Sequence, residues 1–341
     1  MNPQLLSSND PIQVEATRTD RREALHRVHA VCCDDSGAVL GRFGDPEYLT
    51  YFRSGAKPIQ LLTALVHRPA LLDECSDDEI AVLAASHSGE PGHLDTIARI
   101  QERYGLWEDL LLCGKHEPYF APAHWNYGRE NRSITSIHCN CSGKHTAMLL
   151  ACQAQGWPTE NYTDADHPIQ RANTERVAGY IGRAPDSVEY GVDGCNVPTW
   201  WLPIREVAVA FARFSSVRWP HTDVEKRAIG RIFGAYHKAA WHTSGTGRFD
   251  VPFNTESDGK WLGKIGGEGI YCVAFRDRGI GVVVKVIDGT SRAIPPALLQ
   301  AMRYWDLIEG DQLARLADWV EVERRNSSGI PIGVMRVVGD T

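Results

Sequence analysis

Strand-like stretches stand near both ends of this chain, and helical periodicity fills the space between them. That order most constrains the fold, because a sheet built from distant segments must close around an inserted helical part. Early on, Val28-His29-Ala30-Val31-Cys32-Cys33 is an apolar run closed by the turn signal Asp34-Asp35-Ser36-Gly37. Val39-Leu40-Gly41 follows, which predicts a hairpin. Late in the chain Glu189–Asp193, Gly269–Phe275 and Gly281–Ile287 are β-rich, the last two joined by Asp277-Arg278-Gly279.

The middle reads differently. Ile59–Val66 has helical spacing, and Ser76-Asp77-Asp78-Glu79 is a capping-box sequence that opens a helix through Leu83 and Ala85. Further helices are predicted at His93–Tyr104, ending at Gly105, and at Lys144–Gln153, Pro168–Ile181, Ile204–Phe214 and Ala293–Trp305. A shorter helix and a terminal strand then finish the chain. The expectation is one α/β domain over residues 1–341, an antiparallel sheet flanked by helices with a mainly helical insertion. The sheet lobe falls at about 11–52 and 185–341 and the helical lobe at about 53–184. Thr243–Lys260, rich in Gly, Ser, Thr and Asp, reads as a lid or as a plain surface loop.

Composition enters as a set of exclusions. In 341 residues, 43% hydrophobic and 23% charged, disorder is not a live reading. A net charge of -7 with scattered Lys and Arg argues against a nucleic-acid partner. No apolar run is long enough for a membrane span, and Met1–Ile12 lacks the pattern of a secretory signal. The nine cysteines of so large a chain are therefore expected as reduced thiols in a cytoplasmic protein. Cys32, Cys33, Cys75, Cys113, Cys152 and Cys272 read as core fillers, which leaves Cys139, Cys141 and Cys195 for chemistry.

Four segments could carry that chemistry. In Arg53-Ser54-Gly55-Ala56-Lys57-Pro58, a serine and a lysine three residues apart meet on one side of a helical turn. Such a lysine can take the serine proton only when neutral, and lowering a lysine pKa from about 10.4 to about 8 corresponds to roughly 3 kcal/mol. Pro58 confines the pair to a helix start or an irregular turn before it. Lys264-Ile265-Gly266-Gly267-Glu268-Gly269 puts a cation at a sheet edge. Together the two resemble the motif order of serine β-lactamases and penicillin-binding proteins, but Ser-Asp-Asn is missing and Ile265 stands where threonine belongs.

The third segment, Ser86-His87-Ser88-Gly89-Glu90, is a polar loop between helices that fits a nucleophile or a helix break. The fourth is His138-Cys139-Asn140-Cys141-Ser142-Gly143-Lys144-His145, with Asp193-Gly194-Cys195 further on. Thiols and imidazoles before a helix suit a metal or an activated thiolate, with Cys141, His145 and Cys195 as the first candidate zinc ligands.

Taken together and in this order, these segments resemble the bacterial L-asparaginase family of the rhizobial type. The opening Val14–Arg18 and His26-Arg27 extend the likeness over nearly the whole chain. The resemblance implies a serine-β-lactamase-like fold and hydrolysis of L-asparagine to L-aspartate and ammonia. It implies two serine–lysine pairs, Ser54 with Lys57 and Ser86 with Lys264, and Ser54 is the favoured nucleophile because Lys57 is its sequence-local base. It also implies zinc held by Cys141, Lys144 and Cys195, with His145 beside the site, and a homodimer. A zwitterionic substrate wants a cation and a carboxylate, for which Arg53 and Asp193 are the candidates. Cys139 departs from the asparagine that the resemblance leads one to expect there. The rival readings are a β-lactamase or penicillin-binding-type acyl hydrolase, a zinc-dependent amidohydrolase and a non-catalytic amino-acid sensor.

Overall fold

The computed structural model describes residues 5–130 and 133–339; Met1–Gln4, part of the stretch read for a leader, lies outside them. The fold is of the expected α/β class, an antiparallel sheet with helices, and the chain divides into two compact units. One comprises Met1–Gly55, Leu202–Trp219 and Gly263–Thr341, the other Ala56–Trp201 and Pro220–Leu262.

The first unit is built on a sheet. Its strands run in the order Val322–Arg325, Pro331–Val337, Ile12–Arg18, Arg21–Asp34, Ile280–Val286, Ile270–Phe275 and Trp261–Ile265. Val39–Phe43 pairs antiparallel with Arg21–Asp34 as the early hairpin predicts, and Asp34 Oδ1 holds the turn by accepting the N–H groups of Ser36 and Ala38. The long strand Arg21–Asp34 is central: it pairs antiparallel with Ile12–Arg18 on one side and, from Val28 to Asp34, with Ile280–Val286 on the other. Ile280–Val286 and Ile270–Phe275 are buried throughout, which is why they read as continuous apolar runs and not as alternation. Helix Ile204–Ser215 packs on them, and Gly281 lets it come close: a Cβ there would stand 1.9 Å from the Ala208 carbonyl oxygen. The end of the chain is a hairpin, Val322–Arg325 with Pro331–Val337, and not the single strand that the sequence suggests.

The second unit is helical. The predicted helices appear at Lys57–His67, Asp77–Leu83, Pro91–Tyr104, Ser142–Gln155 and Pro168–Ile181. Gly105, Gly156 and Gly182 end three of them in the left-handed conformation. Glu79 accepts the Ser76 N–H, the backbone half of the capping box, while the Ser76 hydroxyl turns to Asp78. The helix Asp223–Lys238 is additional to those expected, although Thr222-Asp223-Val224-Glu225 spells its capping box and Glu225 accepts the Thr222 N–H at 2.8 Å. Residues 185–201 and 220–262 group with this helical unit and not with the sheet lobe expected for them. Tyr190–Val192 pairs with the start of Pro198–Pro203 in a second, small sheet and not in the larger one.

Thr243–Lys260 is neither a lid nor a plain loop. It contains the helix Asp250–Thr255, and Thr243, Ser244, Asp250, Asn254 and Ser257 are buried. Among the described residues no helix is long and apolar enough to cross a membrane.

Candidate active site

Lys57 is the first residue of its helix, directly after a turn of 3-10 helix at Arg53–Ala56, with Pro58 in the first turn where its missing N–H costs nothing. The Lys57 side chain is fully buried and its Nζ lies within hydrogen-bond reach of three oxygens. They are the Ala85 carbonyl, the Ser86 hydroxyl at 3.0 Å and the Asn140 carbonyl at 3.3 Å. Spacing pairs Lys57 with Ser54, its neighbour along the chain; in the fold its amine lies on Ser86.

Ser86 stands just after the helix Asp77–Leu83, on an extended loop stitched down along its length. The Ser86 N–H donates to the Thr243 carbonyl, and the Ser88 hydroxyl donates to the Ser244 carbonyl. Glu90 accepts from both the N–H and the hydroxyl of Thr246, at 2.8 and 2.7 Å. On the other flank the Phe120 N–H donates to the Ser88 carbonyl. Gly89, at φ +70°, leaves room for Pro118, whose ring and backbone would lie 3.0–3.3 Å from a Cβ. The polar residues of this loop are therefore structural as well as chemical, which is why the segment fits two readings from sequence.

His87, next to Ser86, is fully buried. Its Nδ1 accepts the Gly89 N–H, so the proton sits on Nε2 and points to the Ser142 hydroxyl, 2.9 Å away. Burial, then His93 and Lys57, push its pKa well below the usual histidine value, so the ring is a neutral, fixed element of the loop.

The expected metal residues do come together. Lys144 Nζ is 2.9 Å from Cys195 Sγ, Cys141 lies beside Cys195, and all three residues are buried. Hydrogen bonds from Cys139 and Cys195 favour the Cys141 thiolate, while its contact with Cys141 and burial push Cys195 up. Burial would lower the Lys144 pKa, but Cys195, Cys141 and Asp193 outweigh it and raise it. Among the described residues no three His, Cys, Asp or Glu side chains cluster closely enough to hold a metal ion, so a metal here would draw on the Lys144 amine. His145 Nδ1 bonds the Tyr162 hydroxyl at 2.7 Å, and its buried Nε2 has no hydrogen-bond partner. Two thiols, an amine and an orphaned imidazole nitrogen fit a soft borderline cation such as zinc. Cys113, which reads as a core filler, adjoins this group: the Cys139 thiol donates to the Cys113 backbone carbonyl.

Asp193 lies at the turn leading to Cys195. Its carboxylate accepts the Gly194 N–H and the Cys195 thiol, and its charge acts on Lys144. Asn196 closes the turn in the left-handed conformation, φ 73°, with its side chain on the Leu112 carbonyl.

Arg53, Ser54 and Lys264 belong to the sheet unit. There the turn after Lys264 sits on the turn that carries Ser54: a Cβ on Gly266 would be 3.2 Å from Gly55 N and 3.3 Å from Phe52 O, and one on Gly267 3.0 Å from Arg53 Nη2. Both glycines are there for that close approach. Arg53 and Glu268 face each other at 3.9 Å, each a non-glycine residue at positive φ. Lys264 is fully buried, with Nζ on the Ile265 carbonyl. The two expected pairs, Ser54–Lys57 and Ser86–Lys264, each take one residue from either unit.

The sequence pattern of L-asparaginase II matches residues 14–337. The chain belongs to the L-asparaginase II family. It is thereby an asparaginase-type hydrolase, as the motifs implied. No curated protein matches it. Among solved structures, Mglu in its native form is 12% identical, with a TM-score of 0.38 over 84% of this chain and 67% of that one. A β-lactamase from Mycobacterium bovis is 14% identical, TM-score 0.37, over 85% and 94%. The simvastatin synthase of Aspergillus terreus is 11% identical, TM-score 0.36, over 86% and 92%. Likenesses this distant carry no argument about how this asparaginase works.

His116 and Cys113 are not singled out for chemistry by the sequence, because they stand alone in loops where no spacing marks them. His87 and Asn140 stand within quoted motifs without an assigned role.

Proposed function

We propose that the enzyme hydrolyses the side-chain amide of L-asparagine to L-aspartate and ammonia, with Ser86 as nucleophile and Lys57 as its base. The observation that carries this reading is the 3.0 Å contact between Lys57 Nζ and Ser86 Oγ. A neutral lysine has two N–H bonds and one lone pair. With the Ala85 and Asn140 carbonyls taking the two N–H bonds, the lone pair is left for the Ser86 O–H. Lys57 takes the Ser86 proton as Oγ bonds to the amide carbon. It returns that proton to the nitrogen as the C–N bond breaks, releasing ammonia. Water then attacks the ester, its proton passing to Lys57, and the bond to Ser86 Oγ breaks with that oxygen reprotonated. The Ser86 N–H is already given to the Thr243 carbonyl, so oxyanion stabilisation falls to other donors.

Asp193 is the proposed partner of the substrate α-ammonium and Arg53 of its α-carboxylate. Cys141, Lys144 and Cys195 would hold zinc, with His145 alongside; bound there, the ion supplies a fixed positive charge to the site. Nine unbridged thiols support a reducing compartment, and a homodimer is proposed on the resemblance alone.

The test is ammonia release from L-asparagine, with L-glutamine alongside, by wild type, Ser86→Ala, Lys57→Ala and Ser54→Ala. Loss of at least about 10³-fold in the first two variants is expected. An inactive Ser54→Ala beside an active Ser86→Ala would move the nucleophile to Ser54. No release from either amide by folded, zinc-loaded wild type would remove the reading altogether.

A further inference from the structure

Resting on that reading of Lys57 and Ser86, we infer that His116 is a positioning residue for the general base, acting through Asn140. The His116 Nδ1 lies 2.8 Å from the Glu117 carbonyl oxygen, which can only accept, so Nδ1 carries the ring proton. The neutral ring then leaves Nε2 bare, and the Asn140 backbone N–H donates to it at 2.8 Å. The Asn140 side-chain Oδ1 lies 3.2 Å from Nε2 and, being an acceptor like it, adds no bond, so the backbone N–H alone ties Asn140 to the ring. The Tyr119 ring stacks on the imidazole, 4.7 Å between centroids and 22° between planes, which holds the ring at that angle.

The consequence is felt one bond further on. Asn140 sits in a non-helical stretch just before the helix Ser142–Gln155, where no regular backbone ladder fixes its carbonyl. That carbonyl is one of only two backbone acceptors on the Lys57 amine among the described residues. Freed from His116, Asn140 can turn about its own φ and ψ, which carries its carbonyl off the amine, and the amine loses one of the two contacts that aim its lone pair at Ser86. His116 touches neither Ser86 nor Lys57 in the hydrogen-bond network, so its effect is on orientation and not on substrate binding.

The experiment is steady-state ammonia release by the enzyme carrying His116→Phe, which keeps a ring on Tyr119 but has no acceptor, and His116→Gln, whose Oε1 can replace Nε2. The expected result for His116→Phe is a kcat lower by about 10- to 100-fold, with KM for L-asparagine changed by less than about threefold. His116→Gln should recover most of the lost kcat. A kcat for His116→Phe within about twofold of wild type, a change in KM alone, or a His116→Gln enzyme as slow as His116→Phe would each overturn the inference. Should His116→Phe not fold, His116→Ala assayed with added imidazole carries the test: dose-dependent recovery of kcat supports it, and no recovery overturns it. Lys57→Ala and Ser86→Ala run beside them separate the two ideas. If those retain wild-type turnover, the serine–lysine reading has failed. If they are dead while His116→Phe is normal, the positioning role alone has failed.

Discussion

Two histidines in the helical unit show how burial converts a common side chain into a pH liability. His93 is buried against Trp241, rings parallel at 4.0 Å, and its Nε2–H donates to the Trp241 carbonyl. Burial brings its pKa down to about 4, against 6.5 for an unburied ring. Between those values the unfolded chain binds a proton that the folded chain refuses. This contribution to stability is therefore complete above about pH 6.5 and falls as the pH drops toward 4, with His87 adding to the same slope. His93→Phe should lose part of this dependence: its melting temperature should vary less between pH 6.5 and 4 than wild type, whatever its absolute stability. An unchanged slope would assign the acid sensitivity elsewhere. At the same scale, the proposed zinc site predicts about one zinc per chain in the wild type by elemental analysis after dialysis, and well below that in Cys141→Ser and Cys195→Ser.

At the scale of elements, the glycine in Cys141-Ser142-Gly143-Lys144 is a packing requirement and not a catalytic one. The helix Ser142–Gln155 enters against Asp77–Leu83 so closely that a Cβ on Gly143 would stand 2.0 Å from the Val82 carbonyl oxygen. Gly143→Ala should destabilise by more than about 2 kcal/mol in urea, or prevent folding, because backbone has to move on one side or the other. The helices Pro168–Ile181 and Asp223–Lys238 are tied by Arg176 to Glu225 at 2.5 Å, the carboxylate that also caps the second helix. Burial alone would raise the Glu225 pKa, but Arg176 and the Thr222 N–H outweigh it and the value lies below 4.5. This contribution is present above about pH 4.5 and is lost as the pH falls through the depressed value. Arg176→Met should cost about 1–2 kcal/mol at about pH 7, between a surface pair and a fully buried one, and less at about pH 3. Elements with a single dominant signal are legible in the sequence: the helix ends at Gly105 and Gly182, and the turn held by Asp34. Asp223–Lys238 escapes because its start signal follows no strong apolar run, and the terminal hairpin because its strands are half-exposed and weakly patterned.

For the whole molecule, the candidate site is legible as motifs and not as geometry. Local spacing marks Lys57 as a base and suggests Ser54 for it; the contact of the Lys57 amine with Ser86, 29 residues on, is one that no periodicity encodes. In the proposed metal set Cys141 and Cys195 stand out as cysteines beside polar motifs and Lys144 only through the resemblance, whereas Cys113 and His116 approach through loops of irregular course. All nine thiols are buried and unbridged. An Ellman titration of the folded enzyme should accordingly find less than about one fast-reacting thiol per chain, and all nine after unfolding in guanidinium.

The strand Arg21–Asp34 finds its partner Ile280–Val286 roughly 250 residues further along the chain. At ribosomal speeds of about 5–20 residues per second, that leaves an apolar edge without its neighbour for roughly 10–50 s of synthesis. The entropy of closing so large a loop is lost before any of the pairing can offset it. Biogenesis of this enzyme thus hangs on two moments of translation far apart in time, one that lays down Val28–Cys33 and one that delivers the strand to cover it. Until the second of those moments the edge depends on whatever shields it, whether a chaperone or the early helices themselves.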